Sequence, residues 1–163
     1  MQGQPDSSVT VEAPLGFLPA RVEEKTGRLK LPVPIAQSLA ARDCGRLFIT
    51  TFDKVSVHLY PLPIWREKLA MLSQSGGEGA VDRAKLRSIA NHYGADTEVD
   101  ASGRLVLPTT LRRAMGLEGA TVYLECINGW VDLYGDNAYT ARLAEAEKLL
   151  IERPNVLAEY GLL

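Results

Sequence analysis

Two short segments hold the residues with the most chemistry. Each reads acid-x-x-Gly-Arg: Glu24-Lys25-Thr26-Gly27-Arg28 and Asp100-Ala101-Ser102-Gly103-Arg104. A carboxylate just before a tight turn accepts backbone N–H groups within it. It can also pair with the arginine and fix the direction of the guanidinium. Glu24, Gly27, Asp100 and Gly103 are therefore expected to build turns. The arginines admit two readings. One is a staple, held by the acid across the turn. The other is a cation pointing out of a rigid turn towards a DNA phosphate or a guanine edge. The outward reading is favoured for Arg28, because Arg21, Lys25 and Lys30 lie beside it. Around Arg104 the neighbours are Glu98 and Asp100 with no lysine, so both readings stay open there.

No catalytic constellation accompanies these segments. His58 and His92 are the only histidines, one in a strand pattern and one ending a helix. No GxSxG, P-loop, HExxH or GxGxxG motif occurs. Gly76, Gly77 and Gly79 precede no GK[ST], so they read as a linker and not as a phosphate cradle. Cys44 and Cys126 form no CxxC pair and lie near no histidine at ligand spacing, which suits two small buried residues of a reducing compartment. The expectation is a non-enzyme with no catalytic or metal residues, no cofactor and no small-molecule substrate. Arg83, Lys85, Arg87, Arg112 and Arg113 read as solvated helix faces, and Trp65 and Trp130 as core or interface anchors.

The chain has 163 residues, enough for one domain or two small, closely packed halves, and 46% of them are hydrophobic. No run approaches the length of a membrane span, and the start lacks a secretory pattern, so the expected compartment is the cytoplasm. The formal net charge is -2. That excludes a binder relying on bulk positive charge. A nucleic-acid face must come from local clustering of Lys and Arg.

The two motifs belong to an internal repeat. Gly27-Arg28 aligns with Gly103-Arg104 at an offset of 104 − 28 = 76, and Leu29, Leu31 and Pro32 align with Leu105, Leu107 and Pro108. Further on, residues 55–60 resemble 129–134, with Tyr60 and Tyr134 offset by 134 − 60 = 74. Each half predicts a short strand, the glycine turn, and a second strand at 28–31 or 104–107. A proline and a short helix follow, at 35–41 or 110–115. A hairpin comes next, of strands 46–51 and 55–60 or 121–127 and 130–134. Its turns hold Asp53-Lys54 and Asn128-Gly129, and Asn-Gly is a strong hairpin signal. Helices are predicted at 63–73, 81–91 and 137–152, the last with Leu143, Ala146 and Leu150 on one face. The expected organisation is a flexible extension at 1–14, a first half at 15–72, a linker at 73–80, a second half at 81–140 and a C-terminal helix and tail at 141–163.

EKTGRLKLP, YPLPIW, RAKLRSIANHYGADTEVDASGRLVLP and LRRAMGL together resemble the MraZ family over roughly residues 15–147. The resemblance implies an α+β fold of two tandem AbrB-like swapped-hairpin halves, interlaced into one β-barrel with flanking helices. It implies a ring-shaped homo-oligomer, associated with the nucleoid. It also implies a DNA-binding regulator, usually a repressor, acting on double-stranded promoter repeats upstream of the division and cell-wall gene cluster that includes its own gene. The family's motif arginines, implicated in DNA contact, carry over to Arg28 and Arg104. The chain departs from the family in having Glu24 where the motif has Asp, and Thr26 where a lysine usually precedes the glycine. Two alternatives remain: a protein-binding scaffold of the same fold, and a generic AbrB-like or antitoxin-like regulator, which the duplication disfavours.

Overall fold

A computed structural model describes residues 12–163, and in it the chain runs through one series of elements twice. The first series is β1 (Phe17–Arg21), β2 (Arg28–Lys30), α1 (Val33–Ala41), β3 (Arg46–Thr50), β4 (Ser56–Pro61) and α2 (Leu62–Leu72). The helix α3 (Ala80–Tyr93) then leads into the second: β5 (Ala95–Glu98), β6 (Arg104–Val106), α4 (Thr109–Met115), β7 (Thr121–Ile127), β8 (Trp130–Gly135) and α5 (Asp136–Glu152). A short α6 (Val156–Glu159) lies within the expected C-terminal tail. Much of the predicted extension, residues 1–14, lies outside the described residues.

The strands form a six-stranded antiparallel sheet in the order β1-β7-β8-β4-β3-β5, and a separate two-stranded ribbon of β2 and β6. The order is symmetric about the β4–β8 pair. The first strand of each half pairs with the third strand of the other half. Each half therefore completes its sheet only with a strand from its counterpart. The expected closed barrel is not what forms. The sheet is open at β1 and β5, and the ribbon covers one face without bonding both edges into a continuous wall. The strand on either side of each glycine turn also does not form a proper hairpin. In the first half β1 and β2 share only the Val22–Leu29 bridge and one backbone hydrogen bond, Glu23 N–H to Arg28 C=O at 2.9 Å. Both second strands instead pair with each other.

Alternation explains the ribbon. In Arg28-Leu29-Lys30-Leu31 and Arg104-Leu105-Val106-Leu107 every second side chain is leucine, so the leucines share one face. Leu29, Leu31, Leu105 and Leu107 are buried with Leu47, Ile49, Leu59, Leu124 and Leu133 of the large sheet in one continuous core. Arg28, Lys30, Arg104 and Val106 are left on the solvent face.

Pro32, Pro61 and Pro108 are the N-cap residues of α1, α2 and α4, and none of these helices has a side-chain cap. Proline fixes φ there, and α1 and α2 carry a second proline, Pro34 or Pro63, in the first turn, where a missing N–H costs nothing. α1 and α4 accordingly start at Val33 and Thr109, earlier than the apolar spacing suggested. A second cluster joins the sheet to α2 and α3: Tyr60, Trp65, Leu72 and Ala90 are buried, with Trp130 packed against them. The tryptophans thus anchor this cluster. The predicted apolar face of α5 does not pack as expected, because no side chain of α5 is buried.

Candidate nucleic-acid interface

The β2–β6 register brings the two sequence motifs together. Arg28 lies opposite Val106, Leu29 opposite Leu105, and Lys30 opposite Arg104. The ribbon continues at both ends, where Leu31 N–H donates to Gly103 C=O at 2.9 Å and Leu107 N–H to Gly27 C=O at 3.0 Å. Each glycine turn therefore caps the other half's strand. Arg28, Lys30 and Arg104 are all exposed on the same face. Lys25 lies in the adjoining turn and Arg21 at the end of β1, both exposed. Among the described residues no carboxylate lies within ion-pair distance of these five cations. The acids that precede Arg104 on β5 face another cation: Arg46 pairs with Asp96, and its Nε is 3.8 Å from Glu98. The absence of a lysine in sequence around Arg104 thus misrepresents its surroundings, since the other half supplies Lys30.

The turns themselves are alike in plan and unequal in length. Asp100 N–H donates to Arg104 C=O at 2.8 Å, and Gly103 N–H to Asp100 C=O at 3.0 Å. In the first turn the same bonds run from Glu23 N–H to Arg28 C=O and from Gly27 N–H to Glu23 C=O. Glu23, not Glu24, stands in the place of Asp100, and the first turn holds one residue more. Glu24 is the surplus residue, lying beside Gly119. Alignment on Val22 and Val99 reveals this insertion, whereas alignment on the Gly-Arg pairs hides it.

The carboxylates settle how the arginines are held. Asp100 Oδ1 accepts from Ser102 N–H at 2.9 Å, Ser102 O–H at 2.7 Å and Arg104 N–H at 2.9 Å. The bonds from the Arg104 backbone and then the Ser102 hydroxyl hold the Asp100 carboxyl below its ordinary value of 3.8. The staple is thus to the backbone of Arg104, and its guanidinium is left free of the acid. In the first turn Thr26 O–H donates to Glu23 Oε2 at 2.7 Å, and Arg28 N–H donates to the Thr26 hydroxyl at 3.2 Å. There a hydroxyl relays what the shorter aspartate does directly.

Beneath the turns lies a residue that sequence reasoning misplaced. Arg112, expected on a solvated face, is only 6% exposed. Its Nη2 donates to Thr109 Oγ1 at 3.1 Å, while Nε and Nη1 have no hydrogen-bond partner among the described residues. The guanidinium lies flat against Gly27, where a Cβ would fall 1.5 Å from Nη1. Gly27 also has φ +66°. Only glycine satisfies both demands. Across the pseudo-two-fold, at 112 − 36 = 76, Ala36 takes the corresponding position, its Cβ 3.3 Å from the place of a Cβ on Gly103. A cleft of about 340 Å³ lies there, lined by Ala36, Gln37, Asp100, Ser102 and Gly103 among others. The repeat offset was the available signal, since it puts Arg112 on an inward-facing helix position. Arg113 is exposed. Arg83 is not a free cation: it donates to the carbonyls of Gln74, Gly76 and Glu78 and ties the linker to α3.

Away from the ribbon, a half-buried polar pair sits on the β4–β8 seam between halves. His58 and Asp132 are opposite each other on β4 and β8, with Nδ1 2.6 Å from Oδ1. Trp130 Nε1 donates to the same carboxylate oxygen at 2.8 Å. Burial and then the Asp132 charge push the nearby Tyr60 hydroxyl up to about 12. Ser56 Oγ, 3.5 Å from His58 Nε2, is buried and lies 3.3 Å from both Asp53 carboxylate oxygens, so the serine is no poised nucleophile. Cys44 and Cys126 are free, and half-buried instead of fully buried. Among the described residues no helix is long and apolar enough to cross a membrane.

Fold and site together define an internally duplicated α+β protein that presents a basic two-stranded ribbon. No family model matches the chain. Similar curated proteins do. It is 31% identical over 147 residues to the transcriptional regulator MraZ of Acidobacterium capsulatum, covering 90% of this chain and 98% of that protein. It is 31% identical over 105 residues to the protein of the same name from Koribacter versatilis, covering 64% and 70%. With that of Bordetella pertussis it shares 30% over 135 residues, covering 83% and 90%. The chain belongs to the MraZ family of transcriptional regulators.

Proposed function

We propose that this protein is a sequence-specific DNA-binding regulator, a repressor, which reads short promoter repeats through the β2–β6 ribbon. The observation that carries this reading is the ribbon's outer face. Lys30 and Arg104 are directly opposite each other with Arg28 on the same side, and among the described residues none of the three has an ion-pair partner. Like charges opposed across a ladder repel. A phosphate between them would turn that cost into binding energy. A two-stranded ribbon also fits the width of the major groove, where arginine forks onto guanine. Lys25 and Arg21 extend the basic face on the first half.

The strand exchange between halves supports reading each as an AbrB-like swapped hairpin, folded in tandem. The net charge of -2 is reconciled with DNA binding if several copies share the task. In a ring, each copy offers a few phosphate contacts, and these combine through effective concentration when the repeats match the spacing of the copies. The resemblance points to repeats upstream of the division and cell-wall gene cluster, including this protein's own gene, and hence to a cytoplasmic, nucleoid-associated protein. The test is fluorescence anisotropy with DNA from upstream of the gene, as one repeat, as the tandem array and as a scrambled duplex. The reading predicts a marked gain for the tandem array over the single repeat, and weak binding to the scrambled duplex. Equal affinity for all three would refute it and favour a scaffold that binds other proteins.

A further inference from the structure

The helices α2 and α5 occupy matching places in the two halves, but their surroundings differ. On α2, Trp65 and Leu72 are buried in one cluster with Ala90 of α3. The aromatic framework is repeated in the second half at 139 − 65 = 74: Phe48 stacks on Trp65 at 4.5 Å, and Tyr123 on Tyr139 at 4.1 Å. Among the described residues no helix like α3 covers this second copy. α5 has 17 residues against 11 in α2, and Leu143, Leu149, Leu150 and Ile151 are 44–81% exposed. α6 buries Val156 but leaves Tyr160, Leu162 and Leu163 open.

α3 has a second face of its own. Opposite the side that meets α2 lies an open, mostly apolar face formed by Ala80, Val81, Ala84, Lys85, Ser88 and Ile89. Ala80, Ala84 and Ser88 follow one another at four-residue spacing, so a partner helix can approach closely along them. The two helices are also opposite in charge. α3 carries Arg83, Lys85 and Arg87 against Asp82, which is 3 − 1 = +2. α5 carries Arg142 and Lys148 against Asp136, Glu145, Glu147 and Glu152, which is 2 − 4 = −2. One copy cannot join these faces, because α5 stands at the α2-like position on the far side of the pseudo-two-fold.

We propose that the Leu143–Ala146–Leu150 stripe of α5 docks on the Ala80–Ala84–Ser88 face of α3 on a second copy of this chain. The contact is heterologous: each copy uses one face as donor and the other as acceptor, so repetition gives a closed ring or a filament. It rests on the oligomeric reading above and names the faces that meet. The segment before β1 stands in the chain where α3 stands before β5. Yet residues 1–16 include no Lys or Arg, carry Asp6 and Glu12, and are interrupted by Gly3, Pro5 and Pro14. Their charge repels α5, whereas that of α3 attracts it.

The test uses full-length protein, light scattering after size exclusion, and two variants at exposed positions, Ala84→Arg and Leu150→Asp, with circular dichroism to confirm folding. Each variant alone is expected to fall to a monomer. Mixed in equal amounts they are expected to give a dimer and nothing larger, because each keeps the face the other has lost. Variants that keep the wild-type mass, or a mixture that stays monomeric, overturn this interface while leaving an oligomer in place. Loss of the oligomer on deleting residues 1–11, with Ala84→Arg still assembled, overturns it in favour of the N-terminal segment. A monomeric wild type overturns the ring reading and this inference with it.

Discussion

Replacing Gly27 by alanine should destabilise the protein far more than the same change at Gly103. Both glycines have positive φ, +66° and +79°. That conformation costs an L-residue about 1–2 kcal/mol. At Gly103 the added methyl meets the Ala36 side chain at 3.3 Å, a contact that a small shift relieves. At Gly27 it would fall 1.5 Å from Arg112 Nη1 and 2.0 Å from Cζ. The whole guanidinium must leave a site where it is 6% exposed. Losing its bond to Thr109 adds about 1 kcal/mol, and repacking the region adds about 1–3 kcal/mol. The expected costs are therefore about 3–6 kcal/mol for Gly27→Ala, from the three terms together, and about 1–2 kcal/mol for Gly103→Ala, from the conformational term alone. Urea titration at fixed protein concentration reads the difference as a midpoint lower by about 1 M in Gly27→Ala. In an Arg112→Ala background the clash is gone, and Gly27→Ala should cost only its conformational share. Equal costs at the two glycines, or no coupling between positions 27 and 112, would refute the account of the turns.

Three further outcomes follow from the same geometry. Removing one ribbon cation by Arg104→Ala should lower the slope of log affinity against log salt by about 0.9 per DNA-bound copy, and an unchanged slope would remove Arg104 from the contact. Asp132→Ala strands the Trp130 indole N–H and the His58 imidazole at the seam between halves, and should cost about 2–4 kcal/mol in thermal or urea unfolding; a loss below about 1 kcal/mol would mean that the carboxylate is dispensable. The Asp100 carboxyl is held below 3.8 by its hydrogen bonds, so the stability it contributes is complete above the unfolded value and fades as pH falls through the lowered folded value. Carboxyl NMR titration should find it the more acidic partner in any comparison with a free aspartate, and Asp100→Ala should erase that acid-side loss; a midpoint at or above 3.8 would contradict the bonding described.

The repeat made most of the fold legible. The repeat placed both ribbon strands at 28–31 and 104–107, the short helices expected at 35–41 and 110–115 begin slightly earlier behind Pro32 and Pro108, and Asn128-Gly129 marked the β7–β8 turn. Pairing was not legible. Strand partners are a long-range property, and nothing in residues 17–30 says that β1 will join β7 or that β2 will join β6. That gap hid the central feature of the site, because Lys30 and Arg104 are 74 positions apart and become neighbours only through the exchange. Glu24 was mistaken for the turn acid because a one-residue insertion lies inside the motif. Arg112 was mistaken for a surface cation because residue type outweighed the repeat position, which its alignment with Ala36 identifies as inward. The apolar spacing of α5 was legible, but the partner for its face lies outside a single copy in the interface proposed above.

The claim that the ribbon is the DNA-reading surface is tested most directly by titrating the upstream tandem repeats with wild type and Arg28→Glu, while the mass of both proteins is measured in the same buffer. Arg28 is exposed and makes no ion pair among the described residues, so reversing its charge should abolish specific binding and leave the oligomer intact. Binding that survives the reversal would move the interface off the ribbon. An oligomer that dissolves would make Arg28 a structural residue and contradict the account.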